Sequence, residues 1–324
     1  MKKLWVFGDS FAAAKRMTWP PEKAVTPDDL RNGCDKRIWD KDNPKDFKEH
    51  LAVKLGVDFI SDSAWTAIMG VSDEFMVKVV SQLQGLLNPD DYVLYISTDP
   101  LREFIVPDVP NHGNIVNFHM KSFRESLKAK APPNIIPKLD KQFQIAMDYA
   151  DYVQCHPEKL ASLMVTFQAR LAYLNKILTR AVEKNYLIVP GMSFYDQNNT
   201  LKVGFSTKDI ATWDKSFPAN DDLLVRGCMG IPSFMELEDP TEYNKIMNNT
   251  ACWNGVDARR NHLSIPNHSI MGNKIYDSMV NRTNLDLNTG FKTGFLNARN
   301  CKSIGETVWE VGNEGGYISD HAHD

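Results

Sequence analysis

The chain has 324 residues, of which 43% are hydrophobic and 24% are charged, and its formal net charge at pH 7 is −4. This length suffices for a large hydrophobic core, and the composition excludes a disordered or low-complexity protein. The slightly acidic balance argues against nucleic acid or an anionic membrane surface as the binding partner.

The cysteine pattern and the hydropathy of the chain indicate where in the cell the protein is expected. The five cysteines are scattered, odd in number and lack Cys-x-x-Cys spacing, so we predict neither a metal site nor a complete disulfide framework. No segment approaches the ~20 apolar residues that span a bilayer. The first residues imitate a signal peptide, but Asp9 interrupts the apolar run too early for one. We therefore expect an uncleaved cytoplasmic protein, with a viral particle as the alternative location.

The first predicted element is a buried strand that stops at a tight turn. Residues 4–7 are apolar and prone to β-structure, and Gly8, Asp9 and Ser10 follow them. Glycine permits backbone angles that a Cβ forbids, and aspartate tolerates turn geometry. Ser10 is then expected near the first turn of the next element, where unpaired backbone N–H groups stabilise negative charge. It is either a nucleophile or the cap of the following helix.

Strands and helices alternate in the next part of the chain. Apolar runs predict strands at residues 57–60, 92–96 and 187–189. Helical spacing predicts one helix that opens at Pro44 and ends at Gly56, a second capped by Ser72, and a third from Pro157 to about residue 185. This β-α-β-α-β order with short apolar strands is typical of a parallel sheet that carries helices on both faces.

Two segments interrupt the alternation and are predicted as insertions in a single domain that covers residues 1–279. The first, at about residues 106–151, is rich in proline and lysine and forms either a solvated insertion or a basic groove. The second, at about residues 190–257, is aromatic and rich in loops. Residues 280–324 are predicted as a C-terminal extension.

A histidine far along the chain is the natural partner for Ser10. The sequence NHLSIPNH at residues 261–268 leads into a predicted helix, which places His262 on the loop that enters it. In doubly wound sheets, ligand sites gather in the loops at the carboxyl ends of the strands. We therefore expect Ser10 and His262 at the same edge, where the histidine can serve as the base that a serine nucleophile needs near neutral pH.

Four short blocks of this chain resemble those of the SGNH/GDSL hydrolase family. The sequence FGDS at residues 7–10 resembles the first block, and MGVS at residues 69–72 the second. ISTD at residues 96–99 stands in the place of the third, and NHLS at residues 261–264 resembles the last. The resemblance implies a three-layer α/β domain with a flavodoxin-like, doubly wound parallel sheet. It also implies cofactor-free hydrolysis of a small acyl ester, such as an acetyl group on a sugar.

The resemblance implies roles for individual residues. Ser10 is the nucleophile, His262 is the base, and the backbone N–H groups of Ser10 and Gly70 hold the oxyanion. Thr98 stands where the family usually supplies an asparagine, and its hydroxyl is the remaining candidate donor to the oxyanion.

The supporting carboxylate departs from the family pattern. Arg259 stands three residues before His262, where family members often carry an aspartate. Asp257 can orient His262 only if its loop bends, and a backbone carbonyl is the alternative, which leaves a Ser-His dyad or an incomplete triad. Asp9 is the other candidate supporting carboxylate.

Three alternatives remain open from the sequence. Asp320 and His323 repeat the Asp-x-x-His spacing near the end of the chain, although frayed termini rarely hold a catalytic base. A catalytically inactive binding or structural protein on the same fold, such as a viral particle component, is the main rival to the hydrolase. A phosphate or nucleotide binder is the other, but a Walker-type glycine-rich loop is missing.

Overall fold

The computed structural model describes slightly under half of the chain, in segments spread over most of its length. The described residues are 2–9, 12, 41–42, 44, 46–61, 66–67, 72–98, 133–134, 136–191, 220, 223–229, 265–287 and 289–291. Some side chains within the helices lie outside this description as well.

Four parallel strands form the central sheet. They are β1 (Lys3–Phe7), β2 (Asp58–Ile60), β3 (Tyr92–Ser97) and β4 (Tyr186–Pro190), and their order across the sheet is β2-β1-β3-β4. Leu4 pairs with Phe59 of β2 on one side and with Tyr92 of β3 on the other. The order changes direction between β1 and β3, which makes the gap between their carboxyl ends the topological switch point of the sheet.

The three longer strands are buried on both faces. Residues 4–7, 93–97 and 186–190 are all buried, as expected for parallel strands covered by helices above and below. The outer edge of β4 is protected by a side chain: Asn220 accepts a hydrogen bond from the Ile188 N–H at 2.9 Å and donates one to the Ile188 carbonyl at 2.7 Å. At this position the asparagine amide pairs as a neighbouring strand would.

Helices cover the sheet in two pairs. The described helices are α1 (Phe47–Leu55), α2 (Asp73–Leu83), α3 (Ile136–Cys155), α4 (Pro157–Val182) and α5 (Ile265–Asn281), and a 3₁₀ turn (Gln84–Leu86) follows α2. α1 packs on α5, and α2 packs on α4. Right-handed crossovers put α1 and α2 on opposite faces, because β2 and β3 lie on opposite sides of β1. The predicted α/β class and parallel sheet are confirmed, and the helix pairs are compatible with three layers.

Local capping signals explain where α2 begins and where α1 begins and ends. Ser72 caps α2 by accepting the Phe75 N–H, and Gly56 ends α1 with a φ of 67°, both as predicted. The predicted start of α1 at Pro44 is wrong, because the helix begins at Phe47. Asp46 is its N-cap and forms a capping box with Glu49, which is a stronger start signal than the proline.

The predicted insertion at residues 106–151 includes regular structure. It is helical from Ile136 onward, with Pro137 in the first turn, where proline is tolerated. Lys138 and Lys141 are exposed on this helix, in agreement with a solvated surface.

The hydrophobic core continues past Met279, the predicted end of the domain. A short parallel pair, β5 (Val225–Arg226) and β6 (Leu285–Asp286), brings Leu285 and Leu287 into the same buried cluster as the central sheet. None of the described helices combines the length and apolar character that crossing a bilayer requires.

Candidate active site at the carboxyl edge of the sheet

The structure describes two of the predicted site residues and the chain around others. Asp9 lies two residues after the end of β1, and Thr98 follows β3 directly. Ser10, Gly70, Asp257 and His262 lie outside the described residues, as do Asp320 and His323. The predicted convergence of Ser10, Gly70, Thr98 and His262 therefore stays a prediction.

Asp9 and Thr98 meet at the switch point of the sheet. The Thr98 hydroxyl donates a hydrogen bond to Asp9 Oδ2 at 3.0 Å, and each residue is only 1% exposed. β1 and β3 are neighbours, so their carboxyl ends bring these two side chains together across a gap of 89 residues in sequence. This contact lies in the crevice where sheets of this winding bind ligands.

The turn after β1 is closely packed against β3 and bonded to the chain beyond β2. Gly8 has a φ of 149°, and a Cβ at this position would lie 2.6 Å from the Ile96 carbonyl oxygen, so only glycine fits. The Gly8 N–H donates to the Thr66 carbonyl at 2.9 Å. The Ala12 N–H donates to the Asp9 carbonyl at 2.9 Å, which closes the four-residue segment that carries Ser10 in the sequence.

A second buried carboxylate lies beside Thr98. Asp73, the first residue of α2, accepts the Thr98 N–H at 3.3 and 3.2 Å on its two oxygens and the Tyr95 hydroxyl at 2.5 Å on Oδ1. Burial, reinforced by the Asp73 carboxylate, raises the pKa of Tyr95 well above its usual value. The phenol therefore stays protonated and acts as a hydrogen-bond donor. Asp9, Thr98, Asp73 and Tyr95 form one connected set, which we call the switch-point cluster.

Asp73 and Tyr95 were not predicted as site residues. The sequence presents Asp73 as an ordinary acidic residue in the first turn of a helix, where it complements the helix dipole. The signal that was available is Tyr95 itself, because a tyrosine within an otherwise aliphatic buried strand needs a partner for its hydroxyl.

The geometry around Thr98 bears on its predicted role as an oxyanion donor. Its backbone N–H donates to Asp73, and its hydroxyl donates its single proton to Asp9. To reach an oxyanion, the hydroxyl would have to give up the Asp9 carboxylate as its acceptor. While the bond from Thr98 to Asp9 persists, only the predicted N–H donors of Ser10 and Gly70 would stabilise the oxyanion.

The predicted histidine block also contains a residue with a structural contact. His268, on α5, accepts the Phe47 N–H on Nδ1 at 3.2 Å, and its ring stacks on the Phe47 ring with centroids 5.9 Å apart. This bond satisfies one of the free N–H groups at the start of α1. Because Nδ1 accepts, the neutral ring carries its proton on Nε2.

A buried ion pair stabilises the start of α1, beside the residue that His268 contacts. Lys48 is 2% exposed, its Nζ lies 2.7 Å from Asp46 Oδ2, and it lies 4.5 Å from the centre of the Phe47 ring. Burial of an ammonium group costs free energy unless it is paired, and here the carboxylate and the aromatic ring are its partners. α5, which begins three residues after His262, is thus attached to the start of α1.

No family model, curated protein or solved structure matches this chain. Within the part of the chain that the structure describes, no group of three or more His, Cys, Asp and Glu side chains has the arrangement of a metal site. The family resemblance therefore depends on the four sequence blocks alone.

Proposed function

We propose that this chain is an SGNH/GDSL-type serine hydrolase that cleaves small acyl esters, such as the acetyl group of an O-acetylated carbohydrate. The observation that carries the proposal is the hydrogen bond between Asp9 and Thr98 at the switch point. Asp9 immediately precedes Ser10 in the sequence and is buried at the edge where sheets of this winding bind ligands, which supports Ser10 as the proposed nucleophile.

The chemistry proceeds through an acyl-enzyme. Ser10 Oγ attacks the ester carbonyl while His262 takes its proton, and the N–H groups of Ser10 and Gly70 stabilise the resulting oxyanion. The intermediate collapses, the C–O bond to the alcohol breaks, and His262 returns the proton to the leaving oxygen. Water then attacks the acyl-enzyme with His262 again as base, which releases the acid and restores Ser10. Asp257 or a backbone carbonyl orients the His262 ring.

The position of α2 supports the proposed oxyanion site. Its first residue, Asp73, lies within hydrogen-bond distance of the Thr98 N–H, so the helix begins at the carboxyl edge of β3. Gly70 precedes the N-cap Ser72 by two residues in the sequence. Free N–H groups at the start of a helix favour a developing negative charge.

A fluorophosphonate probe tests the proposal without knowledge of the substrate, because it labels only an activated serine. We expect the folded protein to be labelled at Ser10, as mapped by peptide mass spectrometry, and Ser10→Ala to lose the label. Ser162→Ala removes an exposed serine on α4 and is the matched control that keeps it. A folded wild-type protein that takes up no label at Ser10 contradicts the proposal.

One observation favours a second candidate, an inactive binding or structural protein on the same fold, such as a particle component. Both hydrogen-bond donors of Thr98 are directed at carboxylates, an arrangement that leaves a weaker oxyanion site than the family's asparagine provides. A folded protein that neither labels at Ser10 nor turns over p-nitrophenyl acetate would favour this candidate over the hydrolase.

A further inference from the structure

We propose that Asp73 is a positioning residue that fixes the turn carrying Ser10. Its role in catalysis rests on the proposed function, but its physical part, the ordering of the turn after β1, is measurable separately. Asp73 acts through Thr98 and Asp9 and is not itself assigned contact with substrate.

The first step of the argument is that Asp73 fixes Thr98. Its carboxylate is 2% exposed and accepts both the Thr98 N–H and the Tyr95 hydroxyl. A buried carboxylate is strongly held by its donors, because losing one of them leaves a charge in a poorly solvated site with less compensation. Tyr95 is fully buried in β3, so its hydroxyl attaches the Asp73 carboxylate to the sheet. The same carboxylate binds the N–H of Thr98, the first residue after the strand.

The second step is that a fixed Thr98 backbone also directs the Thr98 hydroxyl. Threonine is branched at Cβ, which restricts its χ1 angle, so the amide and the hydroxyl are oriented together. The hydroxyl donates to Asp9 Oδ2, and this bond joins the end of β3 to the turn after β1.

The third step concerns the turn itself, which is also attached from the β2 side. The Gly8 N–H is bonded to the Thr66 carbonyl, and the Ser61 hydroxyl donates to the Ala12 carbonyl at 2.5 Å. These contacts limit where the backbone of the turn lies, while the bond from Thr98 holds the Asp9 side chain. In the sequence, Ser10 belongs to the segment between these attachments. Loss of the bonds made by the Asp73 carboxylate is therefore expected to loosen this segment on the side that faces β3.

The experiment compares Asp73→Asn with Asp91→Asn. Asp91 is the matched control because it is fully buried and also accepts a backbone N–H and an aromatic side-chain donor, from Lys3 and Trp5, at the opposite edge of β1 and β3. The readouts are the labelling rate of Ser10 by the fluorophosphonate, kcat and KM on p-nitrophenyl acetate, and hydrogen exchange of the Ala12 amide, which the turn protects.

We expect Asp73→Asn to slow labelling and lower kcat by about 10- to 100-fold with KM within about twofold, because small misplacements of a reacting group cost that much. Exchange of the Ala12 amide should rise at least about tenfold, which corresponds to a looser turn. Asp91→Asn should leave all three readouts close to wild type. Tyr95→Phe, which removes only the phenol hydroxyl, should act in the same direction as Asp73→Asn and replaces it if the latter does not fold.

The outcomes separate this inference from the proposed function. If wild type is labelled but Asp73→Asn and Tyr95→Phe match its rate, the positioning role is overturned while the hydrolase stands. If wild type is not labelled, the proposed function fails. Hydrogen exchange of the Ala12 amide then decides whether Asp73 orders the turn after β1. Faster exchange in Asp73→Asn than in Asp91→Asn supports the ordering of the turn, and equal exchange in the two variants overturns it.

Discussion

A buried aspartate lies at each end of the strand pair β1 and β3, with Asp91 just before β3 and Asp73 at the start of α2, and the two aspartates have different surroundings. At the amino edge, Asp91 accepts the Lys3 N–H at 2.9 Å, the Trp5 indole N–H at 3.0 Å and the Asn88 N–H at 2.9 Å. At the carboxyl edge, Asp73 accepts the Thr98 N–H and the Tyr95 hydroxyl, and a second carboxylate, Asp9, lies on the other side of Thr98.

The role of a buried aspartate depends more on the end of the strands at which it lies than on its residue type. The Asp91 contacts join the start of β1 to the turn before β3, which is sufficient to explain a buried carboxylate. The switch-point cluster gathers two carboxylates where helix N-termini and strand ends meet, and this is where open α/β sheets bind ligands. It also leads directly into the segment with Ser10. We therefore expect loss of Asp91 to affect stability and changes to the side chains of the switch-point cluster to affect activity.

The largest expected effect is the loss of turnover at the carboxyl edge. Ser10→Ala and His262→Ala should each lower p-nitrophenyl acetate hydrolysis by at least about 10³-fold, and the double variant should lose little more, because the pair acts as one unit. Far-UV circular dichroism and thermal unfolding should be unchanged.

The control for the histidine is His323→Ala, which we expect to retain wild-type turnover. Retained turnover in His262→Ala together with loss in His323→Ala would assign the base to the C-terminal Asp-x-x-His sequence instead. Under either result Ser10 remains the proposed nucleophile, so the comparison of the two edges still stands.

The next effect is a loss of stability at the amino edge. Asp91→Ala should lower the free energy of unfolding by about 3–5 kcal/mol, because it leaves three N–H donors without this acceptor. Its exposed neighbour Asp90, which lies 3.9 Å from Lys2 Nζ, is the control, and Asp90→Ala should change stability by at most about 0.5 kcal/mol. Urea unfolding measures both. Similar values for the two variants would remove the structural role of Asp91.

A third prediction concerns the close approach of the two strands at the carboxyl edge. Gly8→Ala should cost about 3 kcal/mol or more in free energy of unfolding, because its Cβ would meet the Ile96 carbonyl oxygen at 2.6 Å and its φ is unfavourable. Gly56→Ala, at a φ of 67° in open space, should cost about 1 kcal/mol.

Gly85→Ala completes this series, because nothing lies within 4 Å of its Cβ position and its φ is ordinary. We expect no loss of stability there, or a slight gain, since alanine reduces the freedom of the unfolded chain. Thermal unfolding of the three variants should give the order Gly8, Gly56, Gly85 from largest to smallest loss. A mild effect at Gly8 would mean that the turn moves away from β3 at little cost.

The sequence was informative wherever the signal is local. The apolar runs predicted the four strands, and the caps at Ser72 and Gly56 were correct because each depends on residues within a single turn of helix. The start of α1 was misplaced by three residues because Pro44 was preferred to the Asp46 capping box. The α/β class followed from the order of these elements.

The contacts of the candidate site were less predictable because they join distant parts of the chain. The Thr98 hydroxyl meets Asp9 across 89 residues, and Phe47 meets His268 across 221. Periodicity can place each of these residues at the end of an element, but it cannot tell which carboxylate accepts which donor. Tyr95 was interpreted as one more apolar residue of a strand, although its hydroxyl connects Asp73 to the sheet.

The smallest predicted effect is a pH dependence of the free energy of unfolding. It concerns α1, which begins on the carboxyl side of the sheet and runs back towards the start of β2. His50 lies in this helix beneath α5, with its Cβ 2.7 Å from the position that a Cβ on Gly272 would take. Within the described part of the chain, its buried Nε2 has no hydrogen-bond partner. Burial lowers the pKa of His50, and the Asp46 carboxylate opposes this only in part.

The sign of the pH dependence follows from that direction. Below the unfolded-state pKa of about 6.5, the unfolded chain binds a proton on His50 that the folded state resists, so stability falls as pH decreases through the folded-state pKa. Wild type should therefore lose more stability than His50→Gln between pH 7.5 and pH 5, as measured by urea unfolding at each pH. Above pH 7.5 the two profiles should run parallel, because His50 is neutral in both states. Parallel profiles over the whole range would show that the folded state protonates His50 as readily as the unfolded chain does, which would contradict the prediction.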